Sequence, residues 1–391
     1  MSKIKFIRDP LMNHYPIWMI CACCLVLHAC LDVAQDRALL EQKIGQLSHN
    51  KLTLDIKDGL GSIHVVQESQ NEQNTRIKIK VWAQAPHLTF TINSINDQSS
   101  QRPFYLELEV HNIMKSTQIQ TTPTSLSQKI KKHASPSTIL SFSIPLTEDS
   151  FSLQLIPPQP QVNQPWHFAL FADVQERLDG LSDLLVPLSK EDVKFALISG
   201  DLTSQGTRRD LITFQKKIQK HLSFPCYATL GNHELGTPGP PFHKIFGRGN
   251  FSFEYGAARF TLLDSASATL APVVRTQLQG WLQKGKQDLH AVIMHIPLLD
   301  PDGTRGGAFA SRLEAMEIFS TLKRHKVDVL LFGHVHTYRT FYHAGIHTII
   351  SGGGGSIPMR LDGIGRHYVL FEVDTQKQRF SHSVRPIYPA E

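Results

Sequence analysis

The sequence predicts an α/β layered domain from about residue 165 to the end, preceded by a small all-β sandwich. Three observations carry this. Short apolar runs with period-two alternation fill residues 51–156, the proline-rich stretch "PPQPQVNQP" at 157–165 breaks the chain, and beyond it apolar strands alternate with amphipathic helical patterns. Period-two alternation marks half-buried strands, because successive side chains point to opposite faces of a sheet. Strands and helices by turns mark a layered α/β domain, whose helices cover the sheet. With 391 residues, the chain is long enough for two ordinary domains, each with its own core.

Ahead of both parts, Lys3, Lys5 and Arg8 stand before the apolar run "IWMICACCLVLHACL" from Ile17 to Leu31. That is the layout of a secretory signal. The run has 15 residues and is interrupted by His28, whereas a spanning helix needs roughly 20 apolar residues. Within it, Leu27 to Cys30, "LHAC", resembles the lipobox of bacterial lipoproteins, in which the cysteine is lipidated and becomes the new N-terminus. The expectation is a signal peptide over 1–29, a lipid anchor on Cys30 that ties the chain to a membrane, and export to a bacterial cell envelope or the periplasmic side of a membrane. Cys21, Cys23, Cys24 and Cys30 all lie in this segment, which leaves Cys226 as the one thiol in the rest of the chain. No internal disulfide framework is then available, and Cys226 reads as a small buried apolar residue. The net charge of +6 is spread without a dense Lys/Arg block, so no nucleic acid is indicated. "QKIKKH" at 128–133 reads as a solvated loop.

Residues 30–50 read as a tether or short helix. Over 51–156 the runs "KLTLDIK", "RIKIKVWA", "LTFTINS", "FYLELEVHN", "TILSFSI" and "FSLQLI" are separated by polar and turn-forming clusters, which predicts antiparallel strands in a β-sandwich accessory domain. Nothing there groups into a chemical site. Residues 157–165 form a stiff, extended linker, and 166–391 the second domain. Its strands are "HFALFAD", "VKFALISGD", "CYATLGN", "ARFTLLDS", "HAVIMH", "VDVLLFGH", "HTIISGG" and "YVLFEVD". Helical stripes lie between several of them: Leu211, Phe214, Ile218 and Leu222; Val274, Leu278, Trp281 and Leu282; Leu313, Met316, Phe319 and Leu322. Spacings of three and four place each set on one helix face, as a core stripe requires.

Five of the strands end in groups suited to metals: Asp173 and Gln175; Gly200 and Asp201; Gly231, Asn232, His233 and Glu234; His295; and Gly333, His334, Val335 and His336. Groups just beyond the carboxyl ends of α/β strands converge on one crevice. Each residue alone has an ordinary explanation as a helix cap, a turn or a core histidine; the ordered set of five does not.

The blocks "DVQ", "GDLT", "GNHE", "MH" and "GHVH" resemble, in that order, the five blocks of the calcineurin-like metallophosphoesterases. The resemblance covers about 165–375. It implies a four-layer α/β/β/α sandwich and two metal ions, Mn, Fe or Zn. One ion would be held by Asp173, Gln175, Asp201 and His336, the other by Asp201, Asn232, His295 and His334, with Asp201 bridging. It further implies hydrolysis of a phosphate ester, on a small-molecule or lipid-linked substrate, by a hydroxide held between the two ions. His233 would stabilise the transition state or protonate the leaving oxygen, and Glu234 would orient a histidine. "GDLT" lacks the continuation found in protein serine/threonine phosphatases, and Leu230 stands where they have Arg, which disfavours that subfamily.

Gln175 is the departure from the family's D-x-H. As a ligand it offers a neutral amide oxygen and favours Mn or Mg, or an Fe/Zn pair with one labile member; similar D-x-Q relatives act on phosphodiesters, which tilts the expectation towards diesters. The alternative is a degenerate site in a non-catalytic envelope binding protein. For the glycine run "SGGGGSIP", 351–358, two readings stand: close backbone approach to substrate, or a tight turn beside the sheet.

Overall fold

The computed structural model describes residues 33–70, 74–94, 103–236, 239–286, 288–303, 307–359 and 363–388. The expected signal segment and Cys30 lie outside these residues. Among the described residues, no helix is long and apolar enough to cross a membrane.

Two five-stranded sheets make the N-terminal sandwich. One has the order β1 (Gln46–His49), β2 (Leu52–Ile56), β5 (Leu88–Ser94), β10 (Ser150–Ile156), β7 (Gln118–Thr122). The other has the order β3 (Gly61–Gln70), β4 (Thr75–Ala83), β6 (Phe104–His111), β9 (Ile139–Pro145), β8 (Lys131–His133). Alternate residues turn inward, Leu52, Leu54 and Ile56 from one sheet and Ile77, Ile79 and Val81 from the other, all buried. Two details differ from the sequence reading. β4 and β6 pair in parallel, because the intervening β5 lies in the opposite sheet. Residues 131–133 form an exposed edge strand, not a loop, and lysines on such an edge discourage pairing with another chain.

The C-terminal domain is the four-layer α/β/β/α sandwich. Its first sheet has the order β13 (Cys226–Thr229), β12 (Ala196–Ser199), β11 (Trp166–Phe171), β20 (His367–Asp374), β21 (Arg379–Pro386). The second has the order β14 (Phe251–Tyr255), β15 (Ala258–Leu263), β16 (Leu289–Met294), β17 (Val329–Phe332), β19 (Ile346–Ser351), β18 (Tyr338–His343). β11, β12 and β13 run parallel, as do β15, β16, β17 and β19, so their carboxyl ends share one side. Between the sheets lies an aromatic core, in which Phe168 meets Phe260 edge-on at 5.1 Å and Tyr227 meets Phe253 at 5.2 Å. Edge-to-face pairs set the positive ring edge against the negative face of the neighbour and fix how the sheets stack.

Helices α2 (Ser182–Leu188), α3 (Arg208–His221) and α4 (Phe242–Ile245) pack on the first sheet, and α5 (Pro272–Lys284) and α6 (Arg312–Arg324) on the second. Thr207 caps α3 by accepting from Asp210 N, and Ser311 caps α6 by accepting from Glu314 N; each satisfies one amide that a helix start leaves unpaired. The buried face of α6 is Ala315, Ile318, Phe319 and Leu322. Leu313 and Met316, expected in that stripe, are 73% and 53% exposed. Phe319 and Leu322 keep the expected face, and Ala315 and Ile318 complete it in the first turns.

The two domains are joined along β13, an edge strand. Asn112 donates to Cys226 O and accepts from Cys226 N, and Gln84 does the same with Ala228 O and N. Two carboxamides thereby take the place of a neighbouring strand. Residues 33–41, in the stretch read as a tether or helix, form helix α1 against the C-terminal domain. Arg37 pairs with Asp264 at 2.6 Å and Glu41 accepts from Gly249 N and Asn250, all buried.

Candidate metal centre

The five strand-end blocks meet at one place because their strands are parallel neighbours and the loops after them are held together tightly. A Cβ on Gly231 would collide with Asp201 Oδ1, and one on Gly333 with Asp173 Oδ2, so glycine alone lets these loops approach. Asp173, Gln175, Asp201 and His334 all hold positive φ, at 59°, 42°, 53° and 68°. Left-handed backbone costs a non-glycine residue roughly 1–3 kcal/mol, and four such positions in one site mark strain retained for function.

Asp201 lies at the middle. Its Oδ1 accepts from His233 N at 3.0 Å, and its Oδ2 lies 3.2 Å from His295 Nε2 and accepts from Gln175 Nε2 at 2.6 Å. Asn232 Oδ1 is 3.0 Å from His295 Nε2. Asp201, His295 and His334 present donor atoms within 4.8 Å of one another, a grouping that could hold a metal ion. On the other side, His336 Nε2 is 3.5 Å from Asp173 Oδ1 and 3.3 Å from Gln175 Nε2. Asp173 Oδ2 accepts from His334 N at 2.9 Å.

Tautomers decide what these distances mean. His295 Nδ1 donates to Ser199 O at 2.7 Å, which leaves a lone pair on Nε2 of the neutral ring. That lone pair faces two acceptor oxygens, on Asp201 and Asn232, so the three atoms are compatible only with a cation or a proton between them. In the metal-free protein it is a proton. Burial pulls His295 down, but the Asp201 charge and hydrogen bond outweigh it and push the imidazole up to about 9. Burial pulls the other way at Asp201 too, yet His295 and His233 hold it well below the usual carboxylate range. Asp173 Oδ1 is buried without a hydrogen-bond partner, a second acceptor that fits a cation. Separations near 3 Å between donor atoms suit metal bonds of about 2.0–2.2 Å. The residues thus fit the metals that the resemblance implies.

Glu234 differs from its expected part. Its carboxylate accepts from the backbone amides of Gly231, Asp201 and Thr203, at 2.9, 2.9 and 3.2 Å, in place of the expected histidine. It staples the loop after β12 to the loop after β13. Burial and the Asp201 charge push it up to about 8, against the pull of those amides.

His233 donates Nδ1–H to Ser204 O at 2.7 Å and is about a third exposed. Its ring borders an open groove of about 290 Å³ lined by Ser204, Gln205, Thr207, Asn232 and Gly236. A molecule in that groove meets neutral hydroxyls and amides next to an imidazole. Sequence reasoning had no signal for the lining, since Ser204 and Gln205 stand in a featureless loop.

The glycine run serves the first loop. Gly354 N donates to Ala172 O and Ser356 N to Asp173 O, and a Cβ on Gly354 or Gly355 would strike the 172–174 backbone. Of the two readings, the structure shows close packing beside the sheet. Ser356, which sequence reasoning passed over, donates Oγ–H to Gln175 Oε1 at 2.6 Å. The Gln175 carbonyl therefore points to Ser356, and its amide nitrogen points to Asp201 and His336. The expected arrangement was the reverse, with the carbonyl towards a metal. An acceptor-only carboxylate at 2.6 Å demands a donor. Nearby, Tyr338 bonds to His382 and Arg339 to Asp302.

Residues 167–338 match the family model of the calcineurin-like phosphoesterases. Among solved structures, the chain is similar to a purple acid phosphatase from yellow lupin (Lupinus luteus) seeds, with 16% identity, a TM-score of 0.50, and coverage of 77% of this chain and 70% of that one. A dimetal phosphatase from Danio rerio is also similar, with 16% identity, a TM-score of 0.44, and coverage of 57% of this chain and 99% of that one. At such identities the likeness is one of fold. No curated protein matches the chain. Over residues 167–338 the chain is thus similar to the calcineurin-like phosphoesterases, and the side chains gathered there could hold a metal ion.

Proposed function

We propose that this chain is a phosphohydrolase that uses two metal ions and cleaves phosphate diesters in preference to monoesters. The observation that carries the reading is the gathering of donor atoms from Asp201, His295 and His334 within 4.8 Å of one another, with Asn232 Oδ1 3.0 Å from His295 Nε2 and Asp173 Oδ1 buried without a hydrogen-bond partner. Asp173, Gln175, Asp201 and His336 would hold one ion, and Asp201, Asn232, His295 and His334 the other. Mn, Fe and Zn all suit this mixture of imidazole, carboxylate and amide. When bound, such a pair supplies a hydroxide nucleophile near neutral pH and offsets charge on the phosphoryl oxygens.

The chain's own residues do the rest. Asp201 lies between the two sets, and the Glu234 staple fixes its backbone. His233, oriented by Ser204 O, presents Nε2 to the groove, where it protonates the leaving oxygen or stabilises charge developing on it. The neutral groove lining suits an uncharged, hydrogen-bonding leaving group, the second arm of a diester. His233→Ala should lower turnover at least ~100-fold with metal retained, whereas Asn232→Ala should lower both turnover and metal retention. Near-full turnover in either variant would count against these roles. Absence of any turnover in the wild type would favour a non-catalytic binding protein.

We also propose that the chain is exported to a bacterial envelope and held at a membrane by a lipid on Cys30, with a small-molecule or lipid-linked ester as substrate. The sequence "LHAC" behind the apolar run supports this. Cys30→Ser should move the protein from the membrane to the soluble fraction; an unchanged membrane fraction would contradict the anchor.

A further inference from the structure

Gln175 Nε2 lies 2.6 Å from Asp201 Oδ2 and 3.3 Å from His336 Nε2. His336 donates Nδ1–H to Ile357 O, so its Nε2 carries a lone pair, and the carboxylate only accepts. An amide donor of two hydrogens thus stands between two acceptors that a first cation would have to share. Two features hold it there. Ser356 Oγ–H fixes the carbonyl on the far side, and Ser356 is itself pinned through its own N–H to Asp173 O, the backbone of the same loop. Gln175 and Ser356 are both buried.

We propose that Gln175, locked by Ser356, makes the two cation positions unequal: the position of Asp201, Asn232, His295 and His334 fills first, and that of Asp173, Asp201 and His336 fills when the carboxamide turns over. Turning over brings Oε1 to the cation and Nε2 to Ser356, which then accepts. The Ser356 hydroxyl then donates its hydrogen bond to Glu176 Oε2, 3.2 Å away, so every group keeps a partner in both arrangements. Asp173 Oδ1, buried and unpartnered, is the acceptor that makes the second filling favourable. Ser356 and Glu176 are positioning residues, acting through Gln175. The inference rests on reading the site as a metal centre.

The test is titration of the metal-stripped full chain with Mn2+ alone, read by calorimetry and by the electron paramagnetic resonance of bound manganese. The wild type should bind one ion tightly, with a mononuclear spectrum, and a second at least ~10-fold more weakly, the scale on which ligand-orienting partners act. Gln175→His should bring the two steps together and give a coupled spectrum. Ser356→Ala, which removes the carboxamide's partner in both arrangements, should alter the second step and leave the first unchanged. Glu176→Ala, a change at an exposed position, should weaken the second step alone and serves if Ser356→Ala does not fold. Two equally tight ions in the wild type, or an unaltered pattern in Gln175→His, would overturn the inequality. A second step indifferent to both Ser356→Ala and Glu176→Ala would overturn the lock. No ion bound at all would overturn the metal-centre reading beneath it.

Discussion

His295 carries the site's electrostatics in a single ring. With Nδ1 committed to Ser199 O, its Nε2 holds a proton in the metal-free protein at neutral pH, because Asp201 raises its pKa to about 9. An unfolded histidine titrates near 6.5. The raised value therefore contributes stability that is fully present below about pH 6.5 and is lost as pH rises through about 9. Glu234, pushed up to about 8, adds a loss of the same sign. Metal-stripped protein should accordingly melt at a lower temperature at about pH 9.5 than at about pH 6. Metal should restore the lost stability at the higher pH, since a cation held by His295, Asp201 and Asn232 would replace the proton. A melting temperature flat across that range without metal would show that His295 is not held between acceptors.

At the scale of elements, the edge of β13 decides how the accessory domain sits. An edge strand leaves N–H and C=O groups unpaired, and Gln84 and Asn112 each satisfy one donor and one acceptor of β13. Truncating either to alanine orphans two buried backbone groups, at about 1–3 kcal/mol apiece. Gln84→Ala and Asn112→Ala should each lower the free energy of unfolding by at least ~1 kcal/mol, measured in urea; losses within error would mean that the domains are held by apolar packing alone. Neither residue was legible in the sequence, where a lone Gln or Asn in a turn reads as surface. The strands that end in the site were legible, because an apolar run that stops at Asp, Gly-Asp or Gly-Asn-His changes chemistry within two residues. β14, β18 and β21 were not, since they are half-polar edge or near-edge strands without that contrast. Glu234 was singled out but misassigned: its partners are backbone amides, and backbone donors leave no mark on spacing. Ser356 lay in a glycine run whose packing against residues 172–175 becomes visible only when both loops are in place.

Across the whole molecule, α1, the sandwich edge and the strand-end loops converge on the same few residues. Arg37 pairs with Asp264, Ser265 next to it exchanges hydrogen bonds with Ile296, and Ile296 follows His295. Gly249, which donates to Glu41, packs against Leu230, just ahead of Gly231 and Asn232. The N-terminal helix thus backs the two loops that present His295 and Asn232. We propose that these residues form a metal-dependent phosphoesterase centre. This is tested most directly by the turnover of metal-stripped residues 31–391 on a phosphate diester and a monoester before and after Mn, Zn or Fe is restored. Negligible turnover is expected when stripped, with recovery on adding at least one of these metals and faster hydrolysis of the diester. Equal turnover with and without metal, or none of either ester under any of the three, would contradict it.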